Sequence, residues 1–233
     1  MAKRPVFVPN GDRPFVTAVE TEFEFFSGFA SSQKKKSIRS LHEAFSAQNG
    51  PAKLLEVSSK SSEELGVRLS AFNLSLRKSA NFSVESLFQG SKVFASGGPY
   101  TDLYGRPAHE AKRDVRLKNS GELTSFSYFG RNFPLRPTTF FYNWLYINTL
   151  ALQPDLVASL VDFNAFTDIE FNPKRSINCQ AAAVATCVGL RGVGLLDDAL
   201  ESSEAFLEVV YGDSLDEHVE TSSGTASEQT TLF

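Results

Sequence analysis

Ser83-Val84-Glu85-Ser86-Leu87-Phe88-Gln89-Gly90-Ser91-Lys92 is the stretch on which the reading of this chain turns. As a helix it places Glu85, Gln89 and Lys92 at i, i+4 and i+7, on one face. Val84, Leu87, Phe88 and Ser91 cover the remaining surface and supply a side that packs. Ser83 or Asn81 can cap the start, and Gly97-Gly98-Pro99 stops the run. The spacing predicts a helix that presents an acid, an amide and a cation in one row.

Upstream, Leu69–Leu76 reads as extended, with Leu69-Ser70-Ala71-Phe72-Asn73 leading toward the helix. Val6–Val8 and Phe15–Phe26 alternate and read as strands separated by a turn at Gly11 and Pro14. Ile38, Leu41, His42 and Phe45 recur with helical spacing, which predicts a helix from about Ser37 to Gln48, ended by Asn49-Gly50-Pro51. Leu54–Val57 reads as a short strand and Ser58–Glu64 as a loop. Downstream come a turn-rich segment, Tyr100–Pro107, and a helix over Ala108–Leu117. A strand over Leu123–Phe129 follows, then an apolar helix over Thr138–Gln153 and a short one opened by Pro154. A strand over Phe166–Phe171, a small-residue helix over Ile177–Leu190 and a last short helix over Ala205–Val210 complete the set. Helices and short strands mix without a fixed βα repeat, and no GxGxxG or GxxxxGK[ST] occurs. The fold class expected is therefore α+β, not doubly wound. One domain over residues 1–211 is expected, with residues 212–233, rich in Ser, Thr, Glu and Gly, as an acidic mobile tail.

Apolar residues make up 42 % of the 233, enough for a core of this size. No run of 18 apolar residues occurs, so no membrane partner is expected. The start lacks an apolar signal core, so the expected location is cytoplasmic. Cys179 and Cys187 lack CxxC or His-rich surroundings and read as reduced, buried thiols. From Leu196 onward there are 10 acidic residues and no Lys or Arg, so residues 1–195 hold all 23 bases against 17 of the 27 acids, a net +6. A basic body suits a phosphate-bearing ligand.

Glu85 is the first candidate for chemistry: a carboxylate beside Phe82 and Phe88 is suited to acid or base work. Lys34, Lys35 and Lys36 stand at or just before a helix start, where cations oppose the helix dipole, a conflict that an anionic ligand resolves. A lysine amine can also form a Schiff base with an opened sugar aldehyde. Lys112, Arg113 and Arg116 lie near Gly97-Gly98-Pro99-Tyr100, and Arg suits bidentate phosphate binding. The segment Asp168–Gln180 joins a strand end to a helix start and carries a second carboxylate, Glu170. His42, His109 and His218 form no usable spacing, no Ser-His-Asp or Cys-His arrangement is visible, and neither a metal site nor a cofactor is expected.

Leu69-Ser70-Ala71-Phe72-Asn73 followed by Ser83-Val84-Glu85, Phe88-Gln89 and Lys92 resembles the NADAR superfamily pattern, LSNF and then (W)xTxEHxFQxxKF. Ala71 stands for the pattern's Asn and Ser86 for its His. Ala111-Lys112-Arg113, Phe141-Tyr142-Asn143-Trp144 and Asp168-Ile169-Glu170 resemble later family positions, with Asn143 in place of Asp. Four further blocks resemble the branch associated with DarT-type DNA ADP-ribosyltransferase toxins: residues 33–38, 88–94, 97–100 and 171–180. The likeness covers about Pro5 to Val210. It implies a compact α+β domain, mostly helical around a small sheet. It also implies an antitoxin hydrolase that removes ADP-ribose from guanine bases of DNA. The partners so implied are ADP-ribosylated DNA and the cognate toxin. Glu85 with Lys36 or Lys34 would be catalytic. Ser70, Phe72, Asn73, Gln89, Lys92, Gly98, Tyr100, Arg113, Trp144, Glu170 and Asn178 would bind the ligand. Two other readings stay open: an N-glycosidase on small riboflavin-pathway intermediates, and a non-catalytic antitoxin that blocks the toxin by binding.

Overall fold

Short apolar alternations and capped helices resolve, in a computed structural model that describes residues 1–28, 30–76 and 82–221, into two small sheets wrapped by helices. The first half runs β1 (Ala2–Pro9), β2 (Val16–Phe23), α1 (Ser31–Asn49), β3 (Leu54–Glu56), α2 (Glu64–Leu69), α3 (Val84–Gly90), β4 (Lys92–Phe94), α4 (Ala108–Arg113) and α5 (Arg116–Asn119). The second runs β5 (Leu123–Tyr128), β6 (Arg131–Phe133), α6 (Phe140–Ala151), α7 (Pro154–Ser159), β7 (Ala165–Thr167), α8 (Gln180–Gly192), α9 (Leu196–Leu200) and α10 (Ser203–Thr221). The fold is α+β, as the irregular mix of elements predicts.

The larger sheet has the order β2-β1-β7-β3, with β3 and β7 parallel and the other pairs antiparallel. Side chains alternate across a strand, and here each face meets its own core. Val6, Leu54 and Ala165 face α1, where Ile38, Leu41 and Phe45 bury the helix's apolar stripe. Phe7, Leu55 and Phe166 face the opposite way, into the main core with α6 and α8. Small buried residues on α8 (Ala181, Ala183, Ala185 and Gly189) let that helix lie close to the sheet. The second sheet, β4-β5-β6, stacks Phe126, Tyr128 and Phe133 on Phe141 and Trp144 of α6.

Several elements depart from the expected bounds. The helix at Ser83 ends at Gly90, and Lys92–Phe94 turns into a strand that pairs with β5. Gly90 makes this possible: a Cβ there would stand 2.6 Å from the Tyr104 ring, so the helix end is pressed onto the Tyr100–Tyr104 turn. The stretch after Ser58, expected as loop and then strand, forms α2 and a tight turn in which the Asn73 and Leu74 amides bond to the Ser70 carbonyl at 2.8 Å. The helix expected over Ala108–Leu117 breaks at Asp114, whose carboxylate accepts from the Arg116 backbone and side chain. The strand expected to reach Phe171 stops at Thr167, because Asp168 accepts the Glu170 and Phe171 amides and turns the chain. β6, unforeseen, follows a two-residue turn with Phe129 and Gly130 both at positive φ, as such hairpins require. The last helix runs through Gly212 to Thr221, where a tail was expected to begin. The alternative cap Asn81 and the expected tail over 222–233 lie outside the described residues.

Candidate active site

Two parallel strands ending side by side leave a crevice beyond their carboxyl ends. Here β3 and β7 end at Glu56 and Thr167, and the chain beyond them borders a cavity of about 680 Å³. Its floor is buried: Ser70 and Ala71 from the turn after α2, Glu85, Phe88 and Gln89 from α3, Phe126 from β5, Tyr142 from α6, Asp168 after β7, and Gln180 at the start of α8. Its rim is exposed: Ser59, Lys112, Glu170, Ser176 and Ile177.

Glu85 is positioned by the backbone on both sides. Ser83 caps α3 by accepting the Ser86 amide at 3.1 Å, and the Glu85 amide itself bonds to the Ala71 carbonyl at 2.9 Å. The carboxylate, 6 % exposed, is held at Oε1 by Gln89 Nε2 at 2.9 Å and by Lys112 Nζ at 3.4 Å. Both contacts fall on Oε1, and the residue lines the cavity. The Lys112 ammonium also lies 5.1 Å from the Phe72 ring centre, and that of Lys92 lies 5.0 Å from the Phe88 ring centre. Burial pushes the Lys92 amine below the usual lysine range; the charge on Glu85 opposes this and the charge on Lys112 adds to it. Burial, reinforced by Glu85, holds the Tyr142 hydroxyl in its protonated form.

The opposite wall rests on a buried carboxylate pair. Burial, and then the neighbouring Glu56, raise Asp168 to about 8 despite two backbone amides and Gln180 bonded to it. Gln180 also accepts the Ala71 amide at 2.7 Å, so one side chain ties the turn before α3 to the segment after β7. Glu56 lies on the α1 side of the sheet, bonded to Ser58 at 2.6 Å, Thr167 at 2.7 Å and the Ile169 amide at 2.9 Å. Burial raises its pKa as well. His42 of α1 closes this network on Thr167 at 2.8 Å, and burial holds its pKa down to about 4. Because the Thr167 hydroxyl donates to Glu56, the His42 Nε2 donates to Thr167.

Of the residues singled out in the sequence, Glu85, Gln89, Lys92, Ser70, Phe72, Glu170 and Asn178 meet at this cavity. Lys34 reaches its rim through a 3.6 Å ion pair with Glu170. Lys36 is exposed, 5.9 Å from the Phe26 ring centre, and does not line it. Asn73 turns outward and donates to the Val67 carbonyl at 2.8 Å. Gly98 serves packing: it has φ 88°, and a Cβ there would sit 2.2 Å from the Lys92 carbonyl. Tyr100 bonds to Ser120 and stacks beneath Arg116. Arg113 is exposed on α4, and its neighbour Lys112 is the residue that faces the cavity. Trp144 lies in the aromatic core against Tyr128 and Phe133. Asp168, Gln180, Tyr142 and Lys112 were not singled out as site residues. Lys112 was legible as one lysine of a basic cluster, and Asp168 and Gln180 as polar residues at a strand end and helix start.

Among the described residues no group of His, Cys, Asp and Glu could hold a metal ion, and no helix is long and apolar enough to cross a membrane. A family model described as DarT1-associated NADAR antitoxin matches residues 2–220. No curated protein matches the chain.

Proposed function

Because the chain belongs to the DarT1-associated NADAR antitoxins, and so serves against a cognate toxin, we propose that it acts as a hydrolase that cleaves ADP-ribose from guanine bases of DNA. The observation that carries this reading is a buried carboxylate, Glu85, held at one oxygen and flanked in the same cavity by Lys92, whose amine is pushed toward its neutral form. The bond to be broken joins the anomeric carbon of a ribose to the exocyclic amine of guanine, a poor leaving group. Glu85 passes to the ring oxygen a proton drawn from the Lys112 ammonium paired with it, as the bond from that oxygen to the anomeric carbon breaks. The neutral Lys92 amine then adds to the resulting imine carbon. The guanine amine departs with a proton, leaving ADP-ribose on Lys92 as a lysine imine. Water adds to that imine, Lys92 leaves, and ADP-ribose is released as its aldehyde, which closes again. Asp168, protonated near neutral pH, can donate a hydrogen bond from the opposite wall. In this reading the amine is that of Lys92 and not of Lys34 or Lys36, because Lys92 shares the cavity with Glu85.

An oligonucleotide carrying one ADP-ribosyl guanine tests the reading, with release followed by mass. The wild-type protein is expected to restore the unmodified base, and Glu85→Gln to slow release by at least about 10²-fold. Borohydride is expected to trap an ADP-ribosyl adduct on the wild type and on Lys36→Ala, but not on Lys92→Ala. Full activity of Glu85→Gln would falsify the role of Glu85, and an adduct surviving in Lys92→Ala would move the amine to another lysine. Toxin inhibition without any release from modified DNA would replace the reading with a blocking antitoxin. Turnover confined to a free phosphoribosyl pyrimidine would replace it with a small-molecule N-glycosidase.

A further inference from the structure

Resting on the reading above, we infer that the loop over residues 172–178 is the element that engages the DNA duplex, with Ile177 as an apolar wedge and Lys174 and Arg175 as phosphate contacts. Three observations converge on this loop. Ile177 is 64 % exposed and yet lines the cavity, so it stands on the rim. Lys174 and Arg175 are exposed beside it, and the run Asn172-Pro173-Lys174-Arg175-Ser176-Ile177-Asn178 contains no acid. The loop is also a built turn. Asn172 accepts the Lys174 amide at its side chain (3.1 Å) and the Arg175 and Ser176 amides at its carbonyl (2.9 and 3.0 Å). Ser176 Oγ donates to the Asn178 carbonyl at 3.2 Å.

A single exposed isoleucine is unremarkable on a surface. Beside two cations at the mouth of a cavity whose carboxylate is buried, it has a use. For its sugar bond to reach the buried floor a modified guanine leaves the base stack, and unstacking costs free energy that a wedge offsets. The exocyclic amine of guanine faces the minor groove. Proteins that enter that groove insert Ile, Leu or Phe between base steps while cations hold the flanking phosphates. The rim of this cavity offers that combination of groups on one short segment.

Binding separates this inference from the hydrolase reading. A duplex with one ADP-ribosyl guanine, flanked by 2-aminopurine, is titrated with Glu85→Gln protein so that the substrate stays intact. Binding is expected to raise the 2-aminopurine fluorescence as the neighbour unstacks. Adding Ile177→Ala is expected to abolish that rise and weaken binding about tenfold. Adding Lys174→Ala with Arg175→Ala is expected to keep the rise at saturation and lower the steepness of log K against log salt by about 2. In the otherwise wild-type protein, the Lys174 and Arg175 pair of substitutions is expected to leave release from ADP-ribosyl guanosine, the free nucleoside, unchanged. An unchanged fluorescence rise with Ile177→Ala, or an unchanged salt slope with the paired substitution, overturns the inference. If the binding results hold while the wild-type protein releases no ADP-ribose, the loop stands and the hydrolase reading fails.

Discussion

Asp168 and His42 sit on opposite faces of one sheet and are both held neutral by burial, so their linkage to stability runs in opposite senses. Asp168 titrates at about 8 in the fold, against an ordinary value of 3.8. Between those values the folded chain keeps a proton that the unfolded chain has released, so stability falls as pH rises and levels off above about 8. His42 titrates at about 4, against 6.5. The unfolded chain there binds the extra proton, so stability falls as pH drops from about 6.5 toward 4. Below 6.5 the two slopes offset each other; above it the His42 slope is gone, and Glu56, also raised by burial, acts in the same sense as Asp168. Urea unfolding is expected to show a loss of ~2 kcal/mol from Asp168 between pH 6.5 and 8, at 1.36 kcal/mol per pH unit, and Asp168→Asn to remove that share. A variant as pH-sensitive as the wild type would place the proton elsewhere. This carboxylate is also the measure of what a sequence conceals at this scale. Glu85 and Gln89 were legible because helical spacing puts them together, whereas Lys92 joins them from the strand that follows. Asp168 depends on Glu56, 112 positions away, and on Gln180, and no local pattern reports such a closure.

At the scale of the element, α3 is short and wholly buried, so its stability depends on its ends. Ser83 accepts the Ser86 amide, and Ser86 Oγ donates to the Tyr104 carbonyl at 2.9 Å. Ser83→Ala leaves a buried amide without its acceptor and is expected to cost ~1 kcal/mol. Ser83→Thr, which keeps the acceptor, is expected to recover most of it. Thermal unfolding checks both, and equal losses from the two would show that packing and not the cap sets the effect. The helix start could be read locally because a cap is a local device. Its end could not, because it depends on Tyr104 pressing against Gly90 and on β5 offering Lys92–Phe94 a partner. As a result Lys92, expected on the helix face, reaches the cavity from a strand.

For the whole molecule, the chain's acidic end is not merely a charged appendage. α10 packs Phe206 and Val210 into the main core and sets the Tyr211 hydroxyl 2.9 Å from both Thr139 and Asn143 Nδ2. Asn143 thus has a neutral partner on the last helix. The sequence obscured this because few apolar residues stand among many acids there, and their burial depends on α6, more than 50 positions upstream. Phe206 lies against Phe140 with ring centres 6.3 Å apart. Phe206→Ala is therefore expected to cost ~3 kcal/mol through lost burial and a cavity. In a chain of this size that lowers the melting temperature by roughly 6–12 °C. Tyr211→Phe, which strands the buried Asn143 amide, is expected to cost ~1–2 kcal/mol. Neither residue lines the cavity, so kcat/KM measured well below the melting temperature is expected to stay within about twofold of wild type, as for distant, independent sites. A large loss of kcat/KM with normal folding would instead show that α10 reaches the site through α6, whose Tyr142 forms part of the cavity floor beside Asn143.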